Sequence, residues 1–304
     1  MTVKAQSAYE GLDPPPLERR LCFSTLVCPD WSLEQIIRGA TDSGLNGVDF
    51  RGIGAELDIT RLPEFSEELV DATTARLRDA GLAVPCLNTS VKLVEPDPAA
   101  WARSIDEYAR YAELAGRTGT RFVRVFGGAV PESLSREAAL GLARDHLAQL
   151  ADLSATRGGN MPLVESHDAW RTSETLLALL KDLLPSGRAG VLWDIEHPFR
   201  AGEKPADTVR HLGSAIRHVH VKDSIRRGDG NDPTLLGEGE LPVSECIRLL
   251  SHAGYPGWLC LETERRWRAS APPPERSVPQ FAAFVRQALL SVNPASQRSR
   301  ERLP

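Results

Sequence analysis

The sequence has no Cys-x-x-Cys pair, and its five cysteines (Cys22, Cys28, Cys86, Cys246 and Cys260) are an odd number. A disulfide framework is therefore not expected, and reduced thiols in a cytoplasmic protein are the simpler reading. No apolar run approaches the roughly 20 residues needed to span a bilayer. The opening segment MTVKAQSAYEGLDPPPLERR lacks an apolar h-region, so neither secretion nor a membrane location is expected. Basic excess is missing too. The formal net charge is −5, whereas a duplex-binding surface needs a cationic face to neutralise phosphates. Internal repeats and low-complexity segments are absent. What is present is an ordinary globular composition over 304 residues, 41% hydrophobic and 25% charged, enough to bury a large core. That length is about twice a typical domain, but α/β barrels routinely reach it as one unit.

Short β-branched apolar runs alternate with longer stretches of helical periodicity. Strand-like runs are LCFSTLV (21–27), GVDF (47–50), AVPCLN (83–88), RFVRVFGG (121–128), MPLVES (161–166), GVLWD (190–194), IRHVHV (216–221) and WLCLE (258–262). Between them, helices are predicted over 31–40 with Ser32 as N-cap, within 64–80, and over 98–116, 135–155, 173–184, 205–212, 242–253 and 276–291. Gly44 and Gly81 stand where a helix C-terminus favours glycine. The stretch 223–240 reads as a polar, Gly-rich loop, with its GEGE segment as a turn. Eight strand–helix pairs in about 280 residues imply parallel βαβ units closed into a single (β/α)8 TIM barrel over 19–292. The open doubly wound alternative usually carries a Gly-rich turn after its first strand. LVCPDWS contains no GxGxxG there. Residues 1–18, with Pro14, Pro15 and Pro16, and the tail 293–304 read as poorly ordered or draped ends.

Barrel active sites lie at the C-terminal ends of the strands. Strands five to eight end in Glu165, Asp194, His220 and Glu262, each after an apolar run and about one βα unit apart. Any single Asp or Glu at such a turn can be a loop or helix cap. Four in succession at one level suggest a joint purpose. Three crowded carboxylates repel one another and are costly to desolvate unless a cation turns repulsion into coordination. Mostly oxygen ligands with one imidazole suit Mn²⁺ best, with Mg²⁺ or Co²⁺ as alternatives.

These residues bring the chain close to a known group. It resembles the sugar-phosphate isomerase/epimerase superfamily of xylose isomerase-like barrels, which includes ketose 3-epimerases and inosose dehydratases. The matching stretches are FSTLVCPDWSLEQIIRGATDSGLNGVDFRG, PLVESHDAW, WDIEHP, HVHVKD and LLGEGELP, spread from about Leu21 to Phe284. The resemblance implies a divalent-metal site on Glu165, Asp194, His220 and Glu262. It also implies substrate contacts from His197, three residues after the metal aspartate, and from Arg226, six after the metal histidine. The same offset from His218 would land on Ser224, which favours His220 as ligand and puts His218 one layer deeper.

The implied chemistry is metal-assisted proton transfer next to a carbonyl through an enediolate, with Glu165 and Glu262 as the proton-transferring pair. The expected substrate is a small carbohydrate or cyclitol. A lyase, by dehydration or β-elimination, is the alternative at the same site. A nuclease of the endonuclease IV kind is disfavoured by seven histidines in all and an acidic balance. A non-catalytic sugar-binding barrel is disfavoured by retention of all four ligand-type residues. A homodimer fits the resemblance, since such barrels often pair.

Further residues are weighed singly. His167 shares the face of Glu165 and can meet substrate or be an ordinary loop histidine. Lys222 shares the parity of His220 and can reach a substrate oxygen or form a loop ion pair with Asp223. Arg124 and Asn88 are expected to line the mouth, Trp193 to pack outward, Trp31 to wall a sugar ring, and Arg51 to lie near an anionic group.

Overall fold

Alternation of strand and helix along the chain closes into a parallel barrel. The structure, a computed structural model, describes residues 15–228 and 230–291. Its strands are β1 (Leu21–Ser24), β2 (Gly47–Asp49), β3 (Cys86–Lys92), β4 (Phe122–Phe126), β5 (Met161–Glu165), β6 (Gly190–Asp194), β7 (Ile216–Val221), β8 (Ser224–Arg227), β9 (Gly230–Pro233) and β10 (Trp258–Leu261). Its helices are α1 (Leu33–Asp42), α2 (Val70–Asp79), α3 (Pro98–Thr118), α4 (Arg136–Arg157), α5 (Ser173–Leu180), α6 (Glu196–Arg200), α7 (Pro205–Leu212), α8 (Val243–His252) and α9 (Pro274–Leu290). Eight parallel strands run in the order β2-β1-β10-β7-β6-β5-β4-β3. Single parallel bridges, Gly47 to Ala83 and Phe50 to Leu87, join β2 to β3 and close the ring. The helices between the parallel strands pack on the outer face of the sheet, which is why these strands read as continuous apolar runs.

Side-chain parity divides each strand between two cores. Outward residues such as Phe23, Val48, Val123, Val164, Trp193 and Val219 pack with the inner faces of the helices in one large cluster. Inside the ring, Cys86, Leu163 and Leu192 form a small apolar plug flanked by Phe122 and Met161. Two residues further along β5 and β6 from that plug stand Glu165 and Asp194, on the same inward face. The polar site thus rests on an apolar floor.

Local chemistry sets the helix ends. Ser32 and Gln35 form a capping box at the start of α1, so the helix begins at Leu33 and leaves Trp31 outside it. The segment 64–80 is helical only from Val70, preceded by 3-10 turns at Ile59–Arg61 and Pro63–Phe65. The stretch 223–240 is more ordered than a loop, since β8 and β9 pair as an antiparallel hairpin. Asp223, buried at its base, accepts hydrogen bonds from the backbone N–H groups of Gly237, Gly239 and Leu241. The GEGE turn therefore wraps a carboxylate, and a Cβ at Gly239 would fall 2.1 Å from Asp223 Oδ1. Of the N-terminal extension, residues 1–14 lie outside the described residues. Leu17, in the turn Leu17–Arg19, is buried against the core. The tail 293–304 lies outside them as well. Among the described residues, no helix is long and apolar enough to cross a membrane.

Candidate active site

The inward parity of β5, β6 and β7, continued by Glu262 after β10, brings one donor from each onto a common point. Glu165, Asp194, His220 and Glu262 are all buried, and one ligand-type atom of each lies within 4.8 Å of all the others. His220 Nδ1 is 3.1 Å from Glu165 Oε1 and 3.2 Å from Glu262 Oε2. The imidazole thus sits between the two glutamates. Lys222 Nζ lies 2.7 Å from Asp194 Oδ2 and 2.9 Å from Glu262 Oε2. Strand alternation turns Lys222 into the ring and Asp223 toward the loop, so the lysine pairs with Asp194 and Glu262 rather than with Asp223.

The charges are interdependent. Burial opposes ionisation of Glu165, but Arg124 and His220 override it and hold the carboxyl down at about 2. Glu262 is likewise held well below the carboxylate range, despite burial, by His220 and Lys222. Asp194 is pushed up, chiefly by burial, with Lys222 opposing. Burial acts against the charged forms of His220 and Lys222, yet the surrounding carboxylates raise both well above their ordinary values. Glu165 and Glu262 are held ionised in a buried site because cations face them.

The donor set fits a divalent cation. Three carboxylates and an imidazole Nδ1 converge, and the buried Asp194 Oδ2 finds no well-aligned hydrogen-bond partner. Beneath His220, the fully buried Asp49 carboxylate lies 3.8 Å from Nε2, placing an acceptor on the far side of the ring. His218 sits one layer deeper, its Nε2 2.6 Å from Asp49 Oδ2. Burial resists charging of His218, but Asp49 wins and draws it up to about 9.

Above this cluster are two adjoining cavities of about 290 and 230 Å³ that share His167, Lys222, Glu262 and Glu264. His197, on the short helix α6, has Nε2 3.8 Å from Asp194 Oδ2. Its ring makes an edge contact with His167, centroids 4.2 Å apart. Burial, helped by His167 and Lys222, lowers His197 to about 4, so it is neutral at physiological pH. Asp168, whose φ of 50° lies in the left-handed region, caps the His167 side of the cavity and pairs with His167 Nδ1 at 2.9 Å. Arg124 lines the first cavity, stacked on Phe126 at 3.9 Å and 3.3 Å from Glu165 Oε2. Asn88 lies under it, accepting from Arg124 Nε, and outside the cavity lining.

Other expected residues fall elsewhere. Arg226 is exposed on β8 and lines neither cavity; Arg268 reaches the rim on that side. Trp31 does not wall the site. It packs edge-on to Phe23 and donates to Glu275 at the start of α9, because the capping box turns it out between α1 and α9. The aromatic residues lining the first cavity are Phe126 and Trp267. Asp49, Lys92, Glu264 and Trp267 were not singled out from sequence. Asp49 and Glu264 obey the parity that marks Arg51 and Glu262, so parity extended by one step finds them.

Comparison with known proteins agrees with this architecture. The family model of the xylose isomerase-like TIM barrel matches residues 37–288. Over 129 residues the chain is 30% identical to fructoselysine 3-epimerase of Escherichia coli O157:H7, covering 40% of this chain and 45% of that one. Over 140 residues it is 28% identical to inosose dehydratase of Geobacillus thermodenitrificans, covering 40% and 46%. The chain thus spans about half the length of the curated relatives it matches. Among solved structures, the IOLI protein with a bound zinc atom superposes with a TM-score of 0.72 at 16% identity, over 90% of this chain and 97% of that one, a likeness of fold. Since the matched span contains every barrel strand from β2 to β10 together with the four clustered donors, the chain belongs to the xylose isomerase-like TIM barrel family.

Proposed function

We propose that this chain is a divalent-metal-dependent isomerase or epimerase of a small sugar or related polyhydroxy carbonyl compound. The observation that carries the reading is the pair of buried glutamates flanking His220 Nδ1 at 3.1 and 3.2 Å on the floor of an open cavity. A metal held by Glu165, Asp194, His220 and Glu262 supplies Lewis-acid polarisation of a substrate carbonyl. Mn²⁺ suits this oxygen-rich set best, with Mg²⁺ or Co²⁺ as substitutes.

The chain's own groups divide the remaining work. Glu165 and Glu262 both line the cavity, held ionised, so either can take a proton from carbon next to the carbonyl and the other can return one. His197, neutral and beside Asp194, can hydrogen-bond a substrate hydroxyl without adding charge, and His167 is its neighbour on the same rim. Lys222, beside Asp194 and Glu262, favours their charged forms and offsets the repulsion between them. Arg226, exposed on β8 and absent from the lining of both cavities, is assigned no substrate contact.

A second reading, a lyase expelling water or another group β to the carbonyl, uses the same first step and is supported by the inosose dehydratase similarity. Incubation of the metal-loaded protein with keto-sugars and inososes in deuterated water separates them. An isomerase or epimerase puts solvent deuterium on carbon in a product of unchanged composition; a lyase yields a product lacking the expelled group. Absence of exchange and of elimination across such a panel contradicts both.

A further inference from the structure

Charge in the first cavity is unevenly distributed: its four carboxylates, Glu165, Asp168, Glu262 and Glu264, all lie on the β5–β10 side. On the β5–β10 side each basic group has a carboxylate: Lys222 has Asp194 and Glu262, and His167 has Asp168. Arg124, on β4, has Glu165. On the β2–β3 side stand two further cations, Arg51 and Lys92, and both line the same cavity. Among the described residues neither comes within ion-pair distance of a carboxylate, and Lys92 acts on Asp168 only from further away.

Arg51 is the sharper anomaly. It is 7% exposed, its Nη2 donates to Ser90 Oγ at 2.9 Å, and its Nη1 is buried with no hydrogen-bond partner. Glu107 and Glu262 favour the charge on Arg51 from a distance, but Glu107 Oε1 accepts from the Ser90 backbone N–H and makes no contact with the guanidinium. A buried guanidinium with an unpaired N–H is costly, and such groups in folded proteins normally have a partner. The backbone explains why it is held there. Arg51 N donates to Thr25 Oγ1, and Thr25 Oγ1 in turn donates to Gly52 O, which ties the turn after β2 to the end of β1. Burial and the like charge of Arg124 lower Arg51 to about 10, which leaves it protonated at neutral pH.

We propose that Arg51, Lys92 and Arg124, presented by three neighbouring strands, form a subsite for an anionic substituent, a carboxylate or a phosphate, on the substrate. The inference rests on the reading that this cavity holds the substrate. It narrows the class from neutral ketoses to sugar acids, keto acids or sugar phosphates. A guanidinium fork matches the paired oxygens of either anion, and the ammonium of Lys92 adds a second charge. The anion would lie over β2–β4, leaving the polyhydroxy carbonyl over the carboxylate–imidazole cluster between Glu165 and Glu262.

Calorimetric titration of the metal-loaded protein with D-gluconate, inorganic phosphate and neutral D-glucitol tests this directly, using wild type, Arg51→Gln and Arg51→Lys. The expected result is binding of gluconate or phosphate at least tenfold tighter than glucitol, weakened about tenfold or more by Arg51→Gln and partly restored by Arg51→Lys. Preference for gluconate assigns a carboxylate, and preference for phosphate assigns a phosphate. Should Arg51→Gln fail to fold, Lys92→Gln, at an exposed position, is expected to weaken the same ligand several-fold. Anions that bind no tighter than glucitol, or that bind the folded variants as they bind wild type, overturn the subsite. Arg51-dependent anion binding without any carbon-bound exchange would leave the subsite standing and remove the proposed isomerase chemistry.

Discussion

Lys222→Met removes the ammonium that lies 2.7 Å from Asp194 Oδ2 and 2.9 Å from Glu262 Oε2 while keeping most of the side-chain volume. Both carboxylates are fully buried or nearly so, at 0% and 4% exposure, so cavity water replaces the lost charge only in part. Breaking a buried ion pair by deleting one partner typically costs about 3–5 kcal/mol, because the other is left charged and dry. For a chain of this size that corresponds to a fall in melting temperature of roughly 5–15 °C. The assay is thermal unfolding of chelator-treated wild type and variant, followed by circular dichroism. Saturating Mn²⁺ should stabilise the variant more than the wild type, since a cation in the same cluster supplies the missing charge. A variant as stable as wild type without metal would refute the view that Lys222 offsets the repulsion within the cluster.

Glu262→Gln keeps shape but removes a proton acceptor, and it should lower turnover on a confirmed substrate by several orders of magnitude with the fold intact; near-normal turnover removes Glu262 from the mechanism. His197→Ala should mainly raise KM and spare metal binding, since its ring stands 3.8 Å from Asp194 and outside the four-donor cluster; loss of metal would place it among the ligands. The Asp49–His218 pair makes stability pH-dependent. With His218 raised from 6.5 to about 9, its contribution, on the order of 3 kcal/mol, is complete below the unfolded value and fades as pH rises through about 9. Urea midpoints at acid and alkaline pH should show this decline in wild type and a flatter profile in Asp49→Asn; parallel profiles would contradict it.

The barrel and its four-donor cluster were legible because both depend on short-range regularities. Each of Glu165, Asp194, His220 and Glu262 follows an apolar run, and strand parity turns all four inward. The same parity explains the inward course of Lys222 once Asp223 is occupied by the GEGE turn. What escaped depends on contacts distant in sequence. The β8–β9 hairpin, SIRR against GNDP, has no apolar alternation to announce a strand. Helix α6, five residues long, is too short to show a period, although it positions His197. Trp31 follows strand one closely, yet its direction is decided by packing between α1 and α9, 244 residues away at Glu275. The pairing of Arg51 with Ser90 needs β2 to meet β3 around the closed ring.

The central claim is that Glu165, Asp194, His220 and Glu262 hold one divalent cation. Calorimetric titration of Mn²⁺ into the chelator-stripped protein and into Asp194→Asn tests it most directly. The account predicts one site per chain in the wild type, lost or much weakened in the variant. No binding to the wild type, or equal binding to both proteins, would contradict it.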